Sequence, residues 1–170
     1  MPRYVALIRA VNVGGTGKLP MAALKKICND AGCSKVETYI ASGNVVFDSK
    51  LAASKVKAVL EKYLGDHVGR KMDVLLRTAP EMKAVLKANP FPKAPAKFSV
   101  VFFLDKAPPA GALKHATGIN GEKIRLGKRE IYVHYPSGMG KSKLKIPAAA
   151  AGTARNMNTV AKLAEMASAR

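Results

Sequence analysis

The chain has 170 residues, and its 29 lysines and arginines against 11 aspartates and glutamates give a formal charge of +18. That length holds one sizeable core or two small ones sharing an interface, and the 48% hydrophobic content excludes a mainly disordered chain. No apolar run approaches the roughly 18–20 residues of a membrane-crossing helix. The opening MPRYVALIRAVNVGG is interrupted by Arg9 and lacks a signal-peptide layout, so a cytoplasmic protein without a membrane partner is expected.

Residues 3–11, RYVALIRAV, form a near-continuous apolar run that suits a buried central strand. Asn12 to Lys18 is a glycine loop, and Leu19 to Ala31 carries apolar residues at helical spacing between Pro20 and Gly32. Val36–Ile40 and Val45–Asp48 read as short strands joined by Ser42-Gly43-Asn44. Ala52–Leu64 is an amphipathic helix followed by Gly65, and Lys71–Arg77 is the next strand. The order βαββαβ is that of a ferredoxin-like half.

The pattern then nearly repeats. Pro80–Ala88 is a helix ended by Asn89-Pro90, and the proline-rich FPKAPAK follows. Phe98–Leu104 is a strand, Ala110–Ala116 a short helix, and Glu122–Leu126 with Glu130–Tyr135 a hairpin across Gly127-Lys128-Arg129. Thr159–Ala169 is the closing helix. The expected fold is α+β: two ferredoxin-like halves, residues 1–78 and 79–170, with mainly antiparallel sheets and helices packed on them. One strand of the second half is missing from this account or borrowed.

Few residues name a chemistry. Cys28 and Cys33 match neither a zinc pair nor a CxxC redox motif and read as reduced structural thiols. His67, His115 and His134 are scattered, so neither a metal nor a cofactor is expected. No paired carboxylates, nucleophile elbow or HExxH motif is present.

The cation excess favours anionic partners, nucleic acid or a phosphorylated small molecule. Solvated helix faces account for Lys25, Lys26, Lys55, Lys57 and Lys62, but not for the segment from Tyr135 to Asn158. That segment holds no carboxylate. Its Lys141, Lys143 and Lys145 alternate, so an extended chain places them on one face. Gly140-Lys141-Ser142 is not a P-loop, because Tyr135 stands at the first glycine position and Pro147 interrupts the helix that must follow. An anion nest at Gly138 and Gly140 remains open. So does a cap by Thr153 or Asn158 that leaves Arg155 and Asn156 at the positive end of the closing helix.

Antiparallel pairing of the first and third strands brings Arg9, Asn12, Gly14 and Gly15 beside Ser42, Gly43 and Asn44. Glycines let backbone N–H groups approach a ligand, and asparagines both donate and accept. Arg9 interrupts an apolar strand and calls for a carboxylate or an anion as partner.

These segments carry a resemblance. RYVALIRAVNVGGTGKLPMAALKKICNDAGCSKVETYIASGNVVFDS and the tail YPSGMGKSKL with GTARNMNTVAKLAEMA resemble the opening and closing of the bacterial domain-of-unknown-function family 1697. Where that family usually has glycine and tryptophan, this chain has Ala10 and Met157. The family has no established activity, so the resemblance implies a fold and no mechanism.

The expected function is a binding module for a phosphate-bearing anion, with Arg9, Lys141, Lys143 and Arg155 supplying charge. Asn12, Asn44, Asn156, Asn158 and Ser142 supply hydrogen bonds. The alternative is a small enzyme acting on an anionic metabolite between the glycine loops. A third possibility is an interaction module that pairs through a sheet edge.

Overall fold

The computed structural model describes residues 1–9, 19–40 and 43–169. They divide into two compact units, one of Met1–Lys83 with Leu163–Arg170, the other of Ala84–Lys162. The architecture is α+β, with two four-stranded sheets whose strand pairs are all antiparallel and four α-helices among the described residues.

The first unit has the order β1 (Arg3–Ile8), α1 (Met21–Asp30), β2 (Ser34–Tyr39), β3 (Asn44–Asp48), α2 (Ala53–Val68) and β4 (Val74–Thr78). Its sheet runs β2-β3-β1-β4. All six residues of β1 are buried, as an unbroken apolar run in a central strand requires. Tyr4, Ala6 and Ile8 point to one face and join Leu24, Ile27, Val56, Leu60 and Leu64 of α1 and α2 in a single core. α2 runs through Gly65, past the expected stop, and ends at Gly69, whose φ of +83° closes the helix in the left-handed conformation.

Arg3 is the buried cation of β1. Its guanidinium lies 3.1 Å from Asp48 Oδ1 and donates to the carbonyls of Lys35 and Met166. α3 (Ala79–Lys87) opens on a reciprocal cap. The Thr78 N–H donates to Glu81 Oε1 at 2.9 Å, and the Glu81 N–H donates to Thr78 Oγ1 at 3.3 Å.

The second sheet runs β6 (Lys123–Leu126), β7 (Glu130–His134), β5 (Ser99–Phe103), β8 (Thr153–Asn156). β8 is the strand the sequence reading lacked. Thr153–Asn156 pair with β5, so they extend the sheet, and α4 (Met157–Ser168) begins directly after them. Gly152 admits this approach, because a Cβ there would stand 2.5 Å from the Phe103 carbonyl oxygen.

The expected helix at Ala110–Ala116 is absent. Ala112, Lys114 and Ala116 donate only to carbonyls three residues back, and Gly111 and Pro109 leave too short a run to nucleate an α-helix. The β5–β6 and β7–β8 crossovers therefore both lack an α-helix, and side chains from irregular segments cover that face of the sheet. Leu113, Ala116, Leu144, Ile146 and Ala149 pack there against Val100, Phe102, Ile131 and Val133.

Candidate functional site

The β7–β8 crossover, residues 135–152, is the glycine- and lysine-rich segment. Buried Tyr135 starts it, with its N–H donating to the Phe98 carbonyl at 2.8 Å. Gly138, at φ +89°, turns the chain into a 3-10 turn over Met139–Lys141. Residues 142–146 then run extended, fixed by a two-bond bridge between Thr117 and Lys145 at 2.8 and 2.9 Å. Side chains alternate along this run: Lys141, Lys143 and Lys145 are exposed, while Ser142, Leu144 and Ile146 turn inward. Lys141 and Lys143 line one pocket, whereas Lys145 lines another.

Gly118 makes the close packing possible. Its φ is +75°, and a Cβ there would overlap the Lys143 carbonyl, so the 118–122 turn can lie directly against the lysine run. Together these segments enclose a pocket of about 380 Å³. Asn120, Ser137, Gly138, Lys141 and Lys143 line it, with Glu122.

Glu122 is the residue that sequence reasoning missed. The Ser142 hydroxyl donates to Glu122 Oε2 at 2.6 Å, and the Asn120 N–H donates to the other carboxylate oxygen. Those bonds, the Ser142 hydroxyl foremost, hold the half-buried Glu122 carboxyl below its ordinary pKa. A segment without its own carboxylate thus receives one from the preceding loop. The sequence signal was the turn Gly118-Ile119-Asn120-Gly121 just before an acidic residue. Tyr135 is perturbed too: burial, then the nearby Glu122 charge, push its phenol up to about 12.

Arg155 is not brought to the lysines. In β8 it pairs with Val101, whereas Ala154 pairs with Phe102. Strand alternation therefore puts Arg155 on the sheet face opposite the one that Leu144 and Ile146 cover. It is buried, it donates to Thr153 Oγ1 at 2.8 Å and the Ala154 carbonyl at 2.9 Å, and burial draws its guanidinium down to about 10. Asn156, not Thr153 or Asn158, caps α4, accepting from the Thr159 N–H at 2.9 Å. Asn158 is exposed in the first turn, and Met157, at the family's tryptophan position, is packed inside. The proposed nest also loses a donor, because the Gly138 N–H bonds to the Tyr135 carbonyl at 3.1 Å, while a Cβ at Gly140 would meet open space.

In the first unit β1 and β3 do pair antiparallel, with Leu7 opposite Asn44 and the Ile8 N–H donating to the Gly43 carbonyl. Arg9 stands beyond the end of β1, not inside it. Its side chain is 38% exposed and sits 3.5 Å from Asp73 Oδ2, so an ion pair is one of its partners. Asn44 is fully buried and donates to the Tyr39 carbonyl at 3.0 Å, closing the β2–β3 hairpin. Asn12, Gly14, Gly15 and Ser42 lie outside the described residues.

A two-sheet α+β protein with a basic pocket fixes a class but no activity. The chain belongs to the family described as a protein of unknown function (DUF1697), which matches residues 1–132. The match stops before the glycine- and lysine-rich crossover. Among solved structures, the conserved bacterial protein SP0830 from Streptococcus pneumoniae is similar at 25% identity and a TM-score of 0.82, covering 98% of each chain. No curated protein matches the chain. No helix among the described residues is long and apolar enough to cross a membrane.

Proposed function

We propose that the second unit binds a small phosphate-bearing anion between the lysine run and the 118–122 turn. The observation that carries this is the pocket of about 380 Å³ where Lys141 and Lys143 converge with the amide of Asn120 and the hydroxyl of Ser137. A concave site with a few convergent polar groups is what a small ligand needs. The ionised carboxylate of Glu122 offsets one of the two lysine charges, and the lining keeps a net positive charge.

Calorimetric titration with inorganic pyrophosphate tests the proposal. Saturable binding that weakens with salt, and drops at least roughly tenfold in a Lys141→Ala/Lys143→Ala variant, supports it. Binding that ignores salt or both substitutions counts against it. Labelled single- and double-stranded DNA and RNA, titrated in the same salt series, test the form in which the anion is nucleic acid. A steep salt slope that both substitutions flatten is expected there.

The enzyme alternative has one observation in its favour: the Ser142 hydroxyl is polarised by Glu122 at 2.6 Å inside the same pocket. Turnover of p-nitrophenyl phosphate that disappears in Ser142→Ala would select it.

A ferredoxin-like arrangement of both halves, residues 1–78 and 79–170, belongs to the same proposal. Supporting it are the βαββαβ order of the first unit and the parallel between β2-β3-β1-β4 and β6-β7-β5-β8. A cytoplasmic location is supported by Cys28 and Cys33, both buried and both free.

A further inference from the structure

A second cavity, of about 560 Å³, opens beneath the same crossover and has a different character. Phe102 of β5 forms one wall, Tyr135 another, and Met139, Leu144, Ile146 and Ala149 are among the others. Its size falls within the range of small-molecule sites. Only Tyr135, Ser142 and Lys145 among its lining residues carry nitrogen or oxygen in the side chain. Ser142 is already engaged, donating to Glu122 and accepting from the Leu144 N–H at 3.1 Å.

The two cavities are neighbours. Ser142 lines both, and the turn that gives Met139 to the apolar cavity gives Gly138 and Lys141 to the polar pocket. A nucleobase in the apolar cavity would bring several polar edge atoms to a wall with few free partners, each costly to desolvate. A hydrocarbon group suits that wall, and a dianion suits the lysines beside it.

We propose that the ligand is an amphiphilic phosphate monoester. Its phosphate sits with Lys141 and Lys143, and its aryl or alkyl group fills the cavity between Phe102, Tyr135 and Leu144. This rests on the phosphate site proposed above and goes on to name the ligand class.

Three probes separate the two claims when titrated into the intact protein by calorimetry: inorganic phosphate, 1-naphthyl phosphate and 1-naphthol. Naphthyl phosphate is expected to bind at least about 30-fold more tightly than inorganic phosphate, the effect of burying roughly 80 Å² of apolar surface. It should also exceed naphthol, and lose most of that margin in Lys141→Ala/Lys143→Ala. Ala150→Phe, placed at the exposed rim so that folding can be verified by circular dichroism, should weaken naphthyl phosphate roughly tenfold by intruding on the cavity. Equal affinities for naphthyl phosphate and inorganic phosphate would overturn the ligand class while leaving the phosphate site standing. Equal affinities for naphthyl phosphate and naphthol, or no binding of any probe, would overturn both.

Discussion

The β3–β4 crossover of the first unit and the β7–β8 crossover of the second occupy equivalent places in two sheets of matching strand order, yet they are built differently. The first is the sixteen-residue helix α2, whose Val56, Leu60 and Leu64 seal the sheet beneath it. The second has no α-helix. Gly138, Gly140, Pro147 and Gly152 break it into turns, and the Thr117–Lys145 bridge holds an extended run between them. A helix covers a sheet face with a continuous apolar stripe, whereas an extended strap offers every second side chain. The difference leaves cavities under the strap, two of them with its lysines in their lining.

The largest effects should fall in the sealed unit. Asp48→Ala removes the buried carboxylate that faces the Arg3 guanidinium, leaving exposed Glu37 at 3.6 Å as its carboxylate partner, and urea denaturation should show a loss of about 3 kcal/mol. Leu60→Ala should cost about 2–5 kcal/mol, because its side chain is fully enclosed by α2 and the sheet. Leu144→Ala, half-buried beside a cavity, should cost only about 1 kcal/mol. Equal losses at Leu60 and Leu144 would break the comparison. Asn156→Ala removes the cap of α4 and should cost about 1 kcal/mol.

A smaller effect distinguishes the units by pH. Burial raises Cys28 from its ordinary 9.0 to about 12 and Cys33 to about 11. Folded thiols thus keep protons that the unfolded chain releases, so their contribution is fully present below about pH 9 and is lost as pH rises towards 11 and 12. Tyr135 acts in the same direction from 10.0 to about 12, whereas Arg155, lowered from 12.5 to about 10, acts in the opposite one. The thiols of the first unit act from about pH 9, before Tyr135 and Arg155 do. Denaturation midpoints should fall with pH there, and fall less in Cys28→Ala/Cys33→Ala.

How far the sequence foretold this structure differs between the same two regions. β1 and α1 were legible because periodicity and burial agree along RYVALI and through Leu24 and Ile27. β8 was not, since Thr153–Asn156 is short and polar and becomes a strand only by pairing with β5. The exposure of Lys141, Lys143 and Lys145 could be read because alternation is local. The fate of Arg155 could not, because the sheet face a residue takes depends on strand register. Arg9 misled for a related reason: β1 ends one residue before it, so an arginine that looked embedded is half-exposed beside Asp73. Glu122 entered the site through a tertiary contact with Ser142, twenty positions away.

The most direct test of the phosphate site is a two-dimensional amide NMR titration with inorganic phosphate, run on the wild-type chain and on Lys141→Ala/Lys143→Ala. The account expects saturable shifts concentrated in residues 118–122 and 136–143, the two segments that line the polar pocket, and their loss in the variant. Shifts elsewhere, or shifts of equal size in both proteins, would contradict it.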